Sequence, residues 1–237
     1  MQQDYRTTLY GRYASTFKRQ RPGAPSTTWW HHKYLPLLAD LDRAAAILDL
    51  GCGDGALLAY LQQCGFLDVR GVDVSAEQVA LAQHRRVQAE CSDALTYLNH
   101  CKSTLDAVVA VDVLEHLTRK ELLLLAQLMF EALKAGGRVL IQTANGAGLF
   151  PGQVIYGDLT HQTVFTPASL AQLLTQAGFE KLRFYETGPI PIRLRGKLNV
   201  ALWHAVKLLA NTVRHIETGK RQTIWTENFL CLAFKPG

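Results

Sequence analysis

The sequence contains no CxxC pair, and its five cysteines, Cys52, Cys64, Cys91, Cys101 and Cys231, are odd in number and scattered. That argues against a disulfide framework and a thiolate zinc site, and for reduced thiols in a cytoplasmic protein. An uninterrupted apolar run of about 18 residues, the minimum for a spanning helix, is also missing. The nearest approach, 198–213, is broken by His204 and Lys207. The opening MQQDYRTTLYGRY is polar and has no signal-peptide core. There is no internal repeat and no low-complexity tract. Charged residues make up 19% against 48% hydrophobic, which excludes a disordered chain and allows a sizeable core.

Charge is present but unevenly placed. Residues 44–144 carry 8 Lys+Arg and 12 Asp+Glu, although the whole chain is at +5. A basic periphery around an acidic centre suits an anionic substrate, nucleic acid or a membrane surface, or is simply a solvated face. The stretch RPGAPSTT (21–28) reads as a linker and sets a short N-terminal segment, 1–29, apart from a single domain over 30–237.

From residue 45 the pattern alternates. AAILDL (45–50), VRGVDV (69–74), VQAE (87–90), LDAVVAV (105–111) and RVLIQT (138–143) read as strands. Between them come helices: one from Ala56 to Cys64, one opened by a Ser75/Gln78 capping box, and one opened by Thr118/Glu121. Gly136 and Gly137 are expected to stop the last of these near Lys134. This spacing predicts a doubly wound α/β domain with a mostly parallel sheet and helices on both faces. After an irregular insert, 145–166, Thr166 and Pro167 start another helix. LRFYET (182–187) is a strand, 193–215 a basic amphipathic helix, and 223–234 a last strand or hairpin.

The chemistry begins at ILDLGCGDGALL (47–58). Gly51, Gly53 and Gly55 lie between a strand and a helix, where glycine permits tight turning and close ligand approach. The spacing is G-x-G-x-G, not the G-x-G-x-x-G of dinucleotide sites, which counts against a nicotinamide oxidoreductase. Asp73 ends the next strand, 22 residues after Gly51, where a carboxylate can bind both ribose hydroxyls of an adenosine. Asp93, in SDA after the third strand, is placed to receive an adenine amine, or merely to cap a helix.

Together ILDLGCGDG, GVDVS, SDA and AVDVLEHL resemble class I S-adenosylmethionine-dependent methyltransferases, over about residues 30–187. That resemblance implies a seven-stranded sheet with an antiparallel last strand and S-adenosylmethionine as cofactor. It implies cofactor contacts at Asp49, Gly51, Cys52, Gly53, Gly55, Asp73, Val74, Asp93, Ala94 and Asp112. Cys52 reads as a small loop residue, not a nucleophile.

A sulfonium methyl is already activated, so the protein mainly aligns a nucleophile and excludes water. An alcohol nucleophile also benefits from a base, and two histidines stand at the right edge: His116 in DVLEHL and His161 in GDLTHQTVF. His161 is the favoured base, with Asp158 orienting it and Thr160 touching substrate; the alternatives are helix-end packing for His116 and a loop hydrogen bond for His161. GDLTHQTVFTPASLAQLLTQAGF and LYGRYASTF (9–17) are also similar to methyltransferases of bacterial polysaccharide and lipopolysaccharide synthesis, which implies O-methylation of a sugar hydroxyl. Tyr10 and Tyr13 at helical spacing suit a lid, with Tyr13 near substrate, or core packing. Trp29, Trp30, His31 and His32 suit a stacking platform or, better, packing on the sheet.

No metal set is expected, since His31 and His32 are adjacent and no carboxylate cluster stands out. The basic helix 193–215 reads as a cover helix, a dimer surface or an in-plane anchor on the inner face of a membrane. Nucleic acid is disfavoured as a partner, because no RNA-binding module and no NPPY-like motif is present. The remaining acceptor alternatives are a quinone-like or other small metabolite and RNA. A non-catalytic scaffold keeping the fold is the rival of a different class.

Overall fold

The computed structural model describes residues 27–237. Tyr10, Tyr13 and the 9–17 segment therefore lie outside the described residues. The described residues open with α1 (Thr27–Lys33) and α2 (Leu35–Leu38). Four strands then alternate with helices: β1 (Ala46–Leu50), α3 (Ala56–Gln63), β2 (Asp68–Asp73), α4 (Ala76–His84), β3 (Gln88–Cys91), α5 (Ala94–Leu98) and β4 (Leu105–Val111). A tight helical turn (Leu114–His116) leads to α6 (Arg119–Ala132) and β5 (Leu133–Ala144). The remainder is α7 (Pro151–Tyr156), α8 (Pro167–Gln176), β6 (Glu180–Glu186), α9 (Arg193–Thr218) and β7 (Asn228–Phe234).

The strands form one seven-stranded sheet, ordered β3-β2-β1-β4-β5-β7-β6. The first five are parallel, and β7 runs antiparallel between β5 and β6. This is the doubly wound, mostly parallel architecture expected. Period-two alternation sends successive residues of each central strand to opposite faces. Leu48, Val108, Val139 and Ile141 pack with Leu125 and Met129 of α6 and Leu170 and Leu174 of α8. Ile47, Val109 and Leu140 pack with Tyr34 and Leu38 of the first helices and Leu58 and Leu61 of α3. Both faces are thus buried, which is why the strands read as continuous apolar runs.

Three local expectations differ from what is found. Gly136 and Gly137 do not stop α6. The helix ends at Leu133, whose backbone is already extended (φ −74, ψ 142). Leu133 pairs with Leu105, and pairing resumes at Arg138 with Ala107, so the glycines form an irregularity inside β5. The Ser75 hydroxyl caps α4 through Gln78 N–H at 3.4 Å, but the reciprocal half of the capping box is not made, and both Gln78 amide atoms lack a protein partner. Thr118 and Glu121, by contrast, form the full box. Helix α1 also runs through the anticipated boundary at 29/30. Trp29 is tied to the body by its indole N–H donating to Thr187 O, and Trp30 is buried. That favours packing over a stacking platform for this pair.

Candidate active site

The sheet reverses order between β1 and β4, and there the carboxyl ends of the strands open a crevice. The glycine loop spans its floor. Gly51, Gly53 and Gly55 all have left-handed backbones (φ 68, 56 and 72). A Cβ on Gly51 would stand 2.4 Å from Val113 Cγ2, so sterics and φ both demand glycine there. The loop is held by Asp73: its Oδ2 accepts from Gly53 N–H at 2.8 Å and its Oδ1 from Ser75 N–H at 2.8 Å. Cys52 is buried against Gly71, with its N–H donating to Val72 O at 3.0 Å, as a packing residue would be.

Asp93 sits at the end of β3 and caps α5, its Oδ1 accepting from Leu95 and Thr96 N–H at 3.0 and 3.1 Å. The capping reading of this residue is therefore realised, and any adenine contact must use the remaining lone pairs. Ala94 begins α5, and Val74 stays exposed beside Asp73. Asp49 is buried on β1. Asp112 adopts φ 53, a left-handed conformation that costs a non-glycine residue about 1–2 kcal/mol and that collects at functional sites. It is held by Gln142, whose amide donates to Asp112 Oδ1 at 3.0 Å while Tyr34 OH donates to Gln142 Oε1 at 2.9 Å. Burial, with Asp112 and Asp49 nearby, pushes the Tyr34 hydroxyl well above its usual range. Tyr34 and Gln142 were not singled out in the sequence, because neither belongs to a motif.

The second centre joins the turn after β4 to the insert after β5. Gln162 and Thr163 N–H both donate to Glu115 O, at 2.7 and 3.0 Å, and clamp the two together. The His116 and His161 rings then meet edge-on, with centroids 4.8 Å apart. Asp158 Oδ1 accepts from both the N–H and the hydroxyl of Thr160, and the hydroxyl lies 2.8 Å from His116 Nδ1. Thr160 has one hydroxyl proton, and the 2.6 Å bond to Asp158 takes it. His116 Nδ1 is thereby assigned as the donor to Thr160. The acid–hydroxyl chain thus leads to His116, where Asp158 had been expected to orient His161. Thr160 is buried and serves as the link rather than as an open substrate contact.

His161 has a different brace: its Nδ1 lies 3.1 Å from Ile155 O. A carbonyl only accepts, so Nδ1 carries the proton and Nε2 the lone pair of the neutral ring. Burial, followed by the neighbouring His161, lowers His116 to about 4 and keeps it neutral at pH 7. Beneath the pair lies Glu115, buried and accepting from Thr143 Oγ1 at 2.9 Å. Burial, followed by the Asp112 charge, raises its carboxyl to about 8, so it is protonated at neutral pH. Sequence reading passed over Glu115; its only signal was an acid beside His116 after a buried strand. Ligand atoms of Glu115, His116 and His161 all lie within 4.8 Å of one another, a group able to converge on a cation where none had been expected. A cavity of about 340 Å³ opens at the same edge beyond β5, lined by Phe150, Trp203 and Trp225 among others.

Comparison with known proteins fixes what this crevice belongs to. The methyltransferase-domain family matches residues 17–183, most of the chain. The chain belongs to that family. S-adenosylmethionine is its cofactor, and the structure fits it: a glycine cradle that a Cβ would fill, a carboxylate at the end of β2, and an unpartnered, buried Gln78 amide one turn into α4. The ubiquinone biosynthesis O-methyltransferase of Rattus norvegicus is 32% identical over 152 residues, covering 56% of this chain and 43% of that protein. Phosphoethanolamine N-methyltransferase 3 of Arabidopsis thaliana is 26% identical over 152 residues, covering 61% and 31%. The chain thus spans less than half the length of these relatives. A methyltransferase structure from Archaeoglobus fulgidus superposes with a TM-score of 0.70 at 20% identity, covering 94% of this chain and all of the other, and shows the same fold. These relatives are named for quinone and phosphoamine acceptors, not for the polysaccharide chemistry that residues 9–17 and 157–179 had suggested.

Proposed function

We propose that this methyltransferase transfers the methyl group of S-adenosylmethionine to a phenolic hydroxyl on a small aromatic acceptor. The observation that carries the reading is the braced pair of imidazoles at the sheet's carboxyl edge. The cofactor supplies an electrophilic methyl; the side chains here hold the acceptor and move its proton. An amine acceptor brings its own lone pair, whereas a hydroxyl must lose a proton as the new bond forms. His161 Nε2 is the proton acceptor, and His116, fixed by Thr160 and Asp158, packs against it and holds its plane. An imidazole is better matched to a phenol, with a pKa near 10, than to an aliphatic hydroxyl, which is closer to water at about 15.7. That difference favours a quinol-like acceptor over the sugar hydroxyl expected from the sequence. The aromatic lining of Phe150, Trp203 and Trp225 agrees with a planar, apolar substrate. With the cofactor bound, methyl transfer from sulfur to the phenol oxygen would release the phenol proton to the His161 imidazole.

In this reading Asp73 binds the ribose, Val74, Asp93 and Ala94 flank the adenine, and Asp49, Gly51, Gly53, Gly55 and Asp112 line the methionine side. The test is formation of S-adenosylhomocysteine by the purified chain with catechol, a nucleotide sugar and phosphoethanolamine as separate acceptors. Turnover with catechol alone, lost in His161→Ala, supports the reading. Turnover with either other acceptor and none with catechol overturns it.

A further inference from the structure

Helix α9 is turned inside out. It runs 26 residues, about 39 Å at 1.5 Å per residue, and none of them is buried. Half-buried residues fall on one side, where Lys207, Asn211 and Arg214 stand among Gly196, Val200, Trp203 and Ala210. Trp203 Nε1 and Lys207 Nζ donate to Glu186 Oε2 at 3.2 and 2.6 Å, and Asn211 Oδ1 accepts from Gln222 N–H at 2.8 Å. The leucines face the other way. Leu194, Leu198, Leu202, Leu209, Val213 and Ile216 recur every three to four residues or their multiples and make a stripe on the outer face. Leu194 is 85% exposed, Leu208 72% and Ile216 81%, values foreign to a helix that merely covers a sheet.

We propose that α9 lies in the plane of an anionic lipid surface, its leucine stripe in the acyl boundary and its cations against the headgroups. Charge selects this occupant. Residues 193–221 hold seven Lys/Arg against the single carboxylate of Glu217; Lys207 and Arg214 face the body, which leaves Arg193, Arg195, Lys197, Lys220 and Arg221 exposed. At 100° per residue, Lys197, His204 and His215 flank one border of the stripe and Arg195 the other, the arrangement of an interfacial helix. A second copy packed isologously would bring these cations together. The segment 1–26 is itself basic, with Arg6, Arg12, Lys18, Arg19 and Arg21 against Asp4, and is no complement either. No described helix is long and apolar enough to cross a membrane, so the helix lies on the bilayer rather than through it. The proposal does not depend on the acceptor.

The experiment is flotation of the full chain with vesicles of phosphatidylcholine alone and of phosphatidylcholine with phosphatidylglycerol. It is repeated for Leu198→Glu/Leu209→Glu and for Arg195→Glu/Lys197→Glu, with circular dichroism verifying the fold and sedimentation equilibrium reporting self-association. The expected result is binding to the anionic vesicles only, weakened by salt and reduced at least about tenfold in each variant. Failure to bind anionic vesicles overturns the proposal, as does equal binding to both compositions or binding unchanged in the variants. Self-association that the Leu198→Glu/Leu209→Glu variant abolishes, without vesicle binding, assigns the face to a second copy instead. Vesicle binding is read without turnover, so it stands or falls separately from the acceptor chemistry.

Discussion

Replacing Glu115 with glutamine should stabilise the protein, and increasingly so as the pH rises. The carboxyl is buried, and its value is raised from 4.5 to about 8 by burial first and by Asp112 second. Below about pH 4.5 it is protonated in both the folded and the unfolded chain. Between there and about 8 the unfolded chain releases the proton while the folded chain keeps it, so every increase in pH favours unfolding. Above about 8 the loss is complete. At about 1.4 kcal/mol per pH unit, that gap is worth on the order of 5 kcal/mol. Glutamine does not titrate, and its carbonyl can still accept from Thr143 Oγ1. Urea unfolding at about pH 5, 7 and 9, followed by fluorescence of the buried Trp30 and Trp225, gives the comparison. His116 acts on the opposite limb: its value is lowered to about 4 by burial first, so stability falls as pH drops from 6.5 toward 4 in both proteins. The difference between variant and parent therefore isolates Glu115. A difference that stays flat across the range would refute the assignment of a buried, neutral carboxyl.

Other substitutions probe the remaining parts of the site. Gly51→Ala must adopt φ 68 and accommodate a Cβ 2.4 Å from Val113 Cγ2; we expect a loss of about 2 kcal/mol or more in stability and weaker S-adenosylhomocysteine binding by calorimetry. Asp73→Ala frees Gly53 N–H and Ser75 N–H from their acceptor, and its affinity for S-adenosylhomocysteine should fall by at least about tenfold; unchanged affinity would sink the ribose assignment. Thr160→Val cuts the chain from Asp158 to His116 whereas Thr160→Ser keeps it, so the first should lower kcat and the second restore most of it, with cofactor affinity equal in both. If Glu115, His116 and His161 converge on a divalent cation, magnesium or manganese should raise the melting temperature, and His161→Ala should remove the rise; no rise in the parent dismisses that grouping.

How much of this was readable in the chain depended on distance along it. The β1–loop–α3 unit was legible because glycine spacing and strand periodicity act within a dozen residues, and the Thr118–Glu121 box for the same reason. The Asp158–Thr160–His116 chain was not, since its last link spans 44 residues and forms only when the insert docks on the turn after β4. Adjacency in sequence had instead assigned Asp158 to His161. Gly136 and Gly137 misled because a local rule for ending helices competes with sheet pairing, and the ladder to β4 begins before them. For α9 the pattern predicted a basic amphipathic helix, but only the contacts of Trp203, Lys207 and Asn211 revealed which side faces the body.

The order of the sheet also dictates an order of construction. β7 is synthesised after β6 yet lies between it and β5. Among the described strands, β6 therefore pairs only with one that emerges later from the ribosome. Strands β1 to β4, with the glycine loop and Asp73, need none of this and can assemble while α9 is still being made. The wall carrying Trp203 and Trp225 closes last, because β6 and α9 wait for the strand that seats them. In a growing chain the glycine loop and Asp73 can thus be in place before the wall that carries Trp203 and Trp225.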